Sequence, residues 1–419
     1  MKYIIPIISR YGSIAIQFAL VALIARHLGA DDAGRYFFVA GTVLSLYFLA
    51  GFGIPDGLVA ACPAENARGN SRAVGALALK GLLYSCALAS VVPVSIYVAA
   101  LSFTGCHRTA IYASIWSAGY CLTFIASQTL VSIDKTEFGS FVFYSAVNVC
   151  ICFTTIPYLL LSENPSLEGT LASNAFAALA AGASSIVFTL RNVFKLGVDG
   201  TAPSVHALWK NGFRISLGRV VQAAIIWMPV WIAGVLLTHS DSAQLGLAGR
   251  LLSIVGALLA AVRFSIRPRI AFLAARGEWQ AISGISGRIA QIASIFSLCA
   301  MAITWTIGQD LIDRAFGRGY ESTATLLLIL LGASLAESLG GAVDEALKMS
   351  GQAGAVLLSQ LVSLILMAAA GILLTGRYGA PGAALASTIS FAVMYALQIA
   401  WLFRVRGIIA LPSLPFRNK

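Results

Sequence analysis

The sequence predicts an all-α integral membrane fold, with about twelve transmembrane helices arranged as two pseudo-symmetric six-helix bundles. Three observations predict it. The 419 residues are 58% hydrophobic and only 11% charged, whereas a soluble domain carries roughly 25% charged residues to cover its surface. Apolar runs of about 20 residues recur from end to end, each long enough to cross a bilayer as a helix. The second half of the chain also repeats a pattern of the first. In lipid, every backbone N–H and C=O has to be satisfied within the segment, and a long helix does this.

In chain order, the first span is 4–26, and the short acidic turn Gly29-Ala30-Asp31-Asp32 separates it from 35–61. Beyond the Ala67-Arg68-Gly69 turn come 78–103, 109–132, 139–161 and 169–191, which complete the first bundle. The linker Phe194 to Ser204 (FKLGVDGTAPS) leads into 211–237, 244–266, 285–308, 322–347, 353–375 and 380–403. Span 244–266 runs straight into the arginines of VRFSIRPRI. The bundles are accordingly placed at 1–196 and 205–419. No gap exceeds about twenty residues, so the gaps leave no room for a soluble domain. The opening MKYIIPIISRYGSIAIQFALVALIARHLG is too long for a signal-peptide core and lacks a cleavage site, so it is read as a retained first span.

The net charge of +11 raises the possibility of a nucleic-acid partner, and its distribution excludes one. The basic residues occupy short gaps between apolar stretches, as membrane topology requires. With the N-terminus inside, twenty of the 28 lysines and arginines fall on the cytoplasmic side. Six (Arg26, Arg35, Arg108, Arg314, Arg318 and Arg377) fall outside, and Arg219 and Arg250 lie within spans. This bias predicts an even number of spans and both termini in the cytoplasm.

Residues 29–70 and 239–278 echo each other. Both run from a short acidic turn through an apolar helix to an Ala-Arg-Gly turn, and Lys80 and Arg288 follow at the same remove. Halves with an even number of spans repeat in the same orientation, an arrangement found in carriers whose halves rock against each other.

Charge within a span is the main pointer to a site. It costs about 2.5–3.5 kcal/mol at mid-bilayer on insertion scales. Arg219 lies roughly 13 Å into span seven, at 1.5 Å per residue, and Arg250 about two turns into span eight. Arg10 shares a helical face with Ser13 and Gln17, and Arg219 pairs similarly with Gln222. Arg10, Gln17, Arg219, Gln222 and Arg250 are therefore candidate substrate-binding residues. For Arg10 and Arg219, snorkelling to the headgroups is the competing reading. Glu337, near the middle of span ten, is too short to snorkel, so it has to be protonated, paired or in water, as a proton carrier or gate would be. Asp56, beside the Gly/Pro break in GFGIPDG, is a second candidate for coupling or gating. Asp344, Glu345 and Lys348 have the spacing of a local ion pair.

Catalytic and metal-binding signatures are not visible. The seven cysteines lie mostly in apolar stretches without zinc or redox spacing and are read as free thiols. The four histidines sit at span ends without carboxylate or cysteine partners at metal-ligand spacing, and no Walker A sequence occurs. The reading is of a protein without enzymatic activity, cofactor or metal.

One stretch resembles a known family. LIARHLGADDAGRYFFVAGTVLSLYFLAGFGIPDGLVA (23–60) is similar to the start of bacterial polysaccharide-export flippases of the Wzx type. These belong to the multidrug/oligosaccharidyl-lipid/polysaccharide exporter superfamily, with the multidrug/toxin (MATE) extruders and peptidoglycan-precursor flippases. The pattern is Ala25-Arg26, Leu28-Gly29, Gly34, Tyr36, Gly51-Phe52-Gly53 and Asp56-Gly57-Leu58, with Ala60 and Ala61 where the family often has an arginine. The motif covers about the first 70 residues, and the architecture the whole chain. The resemblance implies a MATE-like fold. It also implies transfer of an undecaprenyl-diphosphate-linked oligosaccharide to the outer leaflet of a bacterial cytoplasmic membrane, by alternating access, for lipopolysaccharide or exopolysaccharide export. Membrane lipids, a polysaccharide polymerase and glycosyltransferases are the implied partners. Arginines suit such a cargo, because they stay charged and grip phosphate oxygens in pairs. The alternatives are a cation- or proton-coupled multidrug antiporter of the same superfamily and a membrane glycosyltransferase or polymerase. The latter would need a larger outside loop with clustered acids or arginines.

Overall fold

The computed structural model describes residues 4–67, 71–198, 204–317, 319–349 and 351–408, and every regular element among them is helical. The chain forms two compact units, Met1–Ala223 and Ala224–Lys419.

In the first unit, α1 (Ile4–Leu46) bends at Gly29, whose φ of 74° and ψ of 170° lie in a region essentially reserved for glycine. Predicted spans one and two therefore join across the acidic turn. There Asp31 and Asp32 lie 3.4 and 3.8 Å from Arg35, all three well exposed. A tight 3-10 segment, Tyr47–Gly53, leads into α2 (Ile54–Ala67). Then come α3 (Ser71–Ala89), α4 (Val91–Thr104), α5 (His107–Ser132), α6 (Thr136–Phe141), a π-helical turn and α7 (Val147–Leu161). The unit closes with α8 (Leu167–Phe194) and the first part of α9 (Val205–Leu236). Helix α5 is its centre. A Cβ on Gly119 would overlap the backbone of Ala178, and one on Gly182 would come within 2.7 Å of the Gly119 carbonyl oxygen. Small residues thus let α5 and α8 touch backbone to backbone, the usual way helices associate without a hydrophobic drive between them. Buried amides add direction: Asn148 on α7 donates to Ser13 (2.6 Å) and Asn174 on α8 donates to Tyr36 (3.1 Å).

The second unit continues α9 into α10 (His239–Ala275), α11 (Trp279–Phe316), α12 (Thr323–Leu339), α13 (Val343–Met349), α14 (Ala353–Tyr378) and α15 (Ala380–Arg406). Predicted span 322–347 is two helices. Gly341, at φ 56°, breaks it where a Cβ would sit 2.5 Å from the Ser286 carbonyl oxygen, and the Ala342 N–H donates to the Ser286 hydroxyl at 2.9 Å.

Nine helical stretches among the described residues are long and apolar enough to cross a membrane. The twelve predicted spans map onto these nine together with α10 and α12, because the first two spans share one stretch. Residues 199–203 of the predicted linker lie outside the described residues.

Candidate functional site

The first candidate centre grows from GFGIPDG. Ala50 is extended (ψ 119°), and Gly51, Phe52 and Gly53 all have positive φ, at 71°, 47° and 87°. For Phe52 this is a strained conformation. The helix restarts at Ile54, where Pro55 sits in a first turn whose N–H groups lack intrahelical partners anyway. Asp56 thereby enters the first turn of α2, where the helix dipole favours a carboxylate.

The start of α9 lies directly against this break. A Cβ on Gly212 would overlap the Gly53 carbonyl oxygen, and one on Gly57 would overlap the Leu208 carbonyl. Three glycines thus bring two backbones into contact. One turn further on, Ser216 Oγ donates to the Phe48 carbonyl at 2.6 Å. At the next turn Arg219 Nη1 reaches Asp56 Oδ1 at 2.9 Å. The Asp56 side chain is 2% exposed and that of Arg219 34%. The guanidinium also lies 5.7 Å from the Phe124 ring, itself edge-on to Tyr47 and Phe48. The second oxygen, Asp56 Oδ2, is buried without a hydrogen-bond partner among the described residues. A buried carboxylate held this way depends on its arginine, and the pair locks α9 to the broken helix.

The second centre lies wholly in the second unit. Arg250 on α10 stacks its guanidinium 4.8 Å above the Trp227 ring of α9. Both residues line a cavity of about 100 Å³, whose other walls include Ile226, Val230, Leu245, Leu252, Leu330 and Phe391. Gly249, Ser253 and Ser387 also border it.

Of the other predicted residues, Gln17 is partly buried on α1, and the Arg10 side chain lies outside the described residues. Gln222 is exposed, whereas Arg219, three residues before it, turns to Asp56. Glu337 is half-buried on α12, next to Ser338, whose hydroxyl lies 2.9 Å from that of Ser297. Lys348 lies 3.1 Å from Asp344 and 3.8 Å from Glu345, the expected local cluster. No metal-binding group of His, Cys, Asp and Glu occurs among the described residues, and all seven cysteines are free thiols.

Sequence reasoning treated Asp56 and Arg219 separately, and it missed Trp227. The i,i+4 spacing of Gly53 and Gly57 signals a close helix approach, but its partner stretch, 208–219, is set only by folding.

Long apolar helices recurring along the chain, with a bent first helix and broken helices among them, define a multi-pass helical membrane protein. The comparisons narrow this. No protein-family model matches the chain. In sequence it is similar to the probable low-salt glycan biosynthesis flippase Agl15 of Haloferax volcanii, 23% identical over 398 residues, which cover 92% of this chain and 80% of that protein. In fold it is similar to a multidrug resistance MATE family transporter of the MOP superfamily in an inward-facing conformation (TM-score 0.69, 12% identity, 94% of each chain). It is also similar to the lipid II flippase MurJ in an inward closed conformation (TM-score 0.66, 12% identity, 96% of this chain and 87% of that one). The fold is that of the MATE and MurJ transporters, as the resemblance of residues 23–60 implies.

Proposed function

We propose that this protein is a flippase that carries a lipid-linked oligosaccharide across the cytoplasmic membrane for glycan biosynthesis, by alternating access. The observation that carries the reading is Arg250, a fixed cation at the edge of an apolar cavity inside a transporter fold. A diphosphate needs such a cation, and its lipid needs such a wall. The similarity to a glycan flippase along 92% of the chain supports the same class of cargo. Arg10, Arg219 and Arg250, with Gln17 and Gln222, would hold the phosphates or acidic sugars. Asp56 and Glu337 would couple or gate. Glycosyltransferases would stand before it and a polysaccharide polymerase after it.

Transport of a fluorescent lipid-linked oligosaccharide in proteoliposomes tests this. Arg250→Gln should abolish transfer with membrane levels near normal. Arg250→Lys should restore only part, since Lys lacks the planar fork. Unimpaired transfer in the Arg219→Gln/Arg250→Gln double variant would refute the anion-binding assignment. Topology is tested independently: cysteine tags at Ser162 and Ser240 should label from outside, and tags at Gly197 and Gly277 from inside.

A further inference from the structure

We infer that the Asp56–Arg219 pair is an anion-operated latch: the diphosphate of the carried lipid takes Arg219 from Asp56 and so loosens α9 from the broken helix. The latch rests on the flippase reading and deepens it, by giving one pair of side chains the task of registering that cargo is bound.

The pair is close but poorly aligned. Arg219 Nη1 lies 2.9 Å from Asp56 Oδ1, yet Nη1 has no hydrogen-bond partner among the described residues, and neither has Asp56 Oδ2. The strong form of this contact is a fork of two parallel N–H···O bonds. Here opposite charge holds the two groups together without that fork. A diphosphate carries more than one negative charge and sets out oxygens that a guanidinium can grip two at a time, so it offers Arg219 what Asp56 does not. Access is also one-sided. A third of the Arg219 side chain is exposed and almost none of Asp56, so an anion reaches the arginine from its open side. The carboxylate left behind stays in the first turn of α2, where the helix dipole favours its charge.

What the pair holds in place is strained. Gly51, Phe52 and Gly53 all have positive φ, Phe52 at 47°, and a backbone of this kind persists only while its surroundings impose it. Ser216 and Arg219 tie α9 to this stretch, the first through the Phe48 carbonyl and the second through Asp56. One side of the same contact is apolar: Ile54, Leu58 and Cys62 of α2 share a buried cluster with Leu208 of α9. Loss of the ion pair leaves one hydrogen bond and this packing to hold α9 against a segment that relaxes when released. Helix α9 starts in the first unit and ends in the second, so loosening its base frees the first turns of the helix that joins them.

Cys62 reports the state of the latch. It is fully buried in that cluster, so its alkylation by N-ethylmaleimide, followed by mass spectrometry on the purified full-length protein, is slow while α9 is held. Inorganic pyrophosphate should speed it severalfold over sodium chloride of equal ionic strength. Phosphatidylglycerol, whose phosphodiester bears a single charge, should not, and Arg219→Gln should lose the response to pyrophosphate. Asp56→Asn should bind pyrophosphate about tenfold more tightly than wild type, the gain expected when a pair closed roughly nine times in ten no longer hides its arginine. A pair that only positions Arg219 would give the opposite sign, with weaker binding by Asp56→Asn. The latch is overturned by labelling of Cys62 that ignores pyrophosphate, that rises equally with phosphatidylglycerol, or that still responds in Arg219→Gln. Binding by Asp56→Asn no tighter than wild type overturns it too; if that variant does not fold, the labelling of wild type decides. Should the latch fall while wild type transfers the glycan in proteoliposomes, the flippase reading stands. Wild type that fails to transfer it removes the reading on which the latch rests.

Discussion

Arg219 and Arg250 are the same residue type in the same kind of helix, yet their surroundings differ. Arg219 faces a carboxylate that is 2% exposed, at 2.9 Å, in a region where Gly53, Gly57 and Gly212 leave no room for a Cβ. Arg250 lies on an indole at the rim of a cavity, and the glycine beside it, Gly249, looks into open space. A counter-charge ties a guanidinium's helix to the helix that carries the carboxylate, whereas an aromatic face packs against the guanidinium as a flat wall. The first arrangement ties two helices together where their backbones touch; the second places a guanidinium at the rim of a cavity. An arginine within a span therefore acquires its role from its neighbour.

The largest expected effect comes from breaking the lock. Removing one partner of a buried ion pair costs about 3–5 kcal/mol, and because a third of Arg219 remains exposed the loss should fall to roughly 2–3 kcal/mol. Asp56→Asn should therefore lower the unfolding temperature in detergent clearly. Arg250→Gln, at the rim of a cavity and stacked on Trp227, should lower it less. A reversed order would break the comparison. Replacing both Asp56 and Arg219 by apolar residues should recover stability without recovering transport.

The glycines sharpen it. Gly212→Ala forces a methyl against the Gly53 carbonyl, and overpacking of this kind costs about 1–3 kcal/mol. Gly249→Ala has space and should be neutral, or stabilise by up to about 1 kcal/mol through helix propensity. Thermal unfolding of the two variants side by side decides; equal losses would show that the two backbones are equally confined. The smallest effect is expected at the α1 bend. Arg35 pairs with Asp31 and Asp32 in solvent, so Arg35→Ala should change stability by less than about 0.5 kcal/mol.

Much of the fold was legible because a membrane span is a local property. Length and apolarity of a run suffice to place a helix, and the turn at Gly29 and the pair of helices at 353–406 needed nothing else. The division of span 322–347 was harder to read. Gly340 and Gly341 are plain in the sequence, but small residues within a span serve close packing as readily as a break. Ser286, 56 residues earlier in the chain, supplies the hydroxyl that receives the freed Ala342 N–H. The candidate site divides in the same way. Asp56, Arg219, Arg250 and Glu337 stand out from sequence alone, because a charge in lipid is costly wherever it occurs.

The sequence by itself determined a multi-pass helical protein and which of its side chains are anomalous there, since both follow from composition along single segments. Only the tertiary structure decided that Asp56 belongs to Arg219, that Arg250 rests on Trp227, and that a cavity opens beside it. Those pairings depend on contacts between residues 23 to 163 positions apart. Local periodicity carries no record of such contacts, because packing between helices and the burial of opposite charge, rather than the propensity of any one segment, select them.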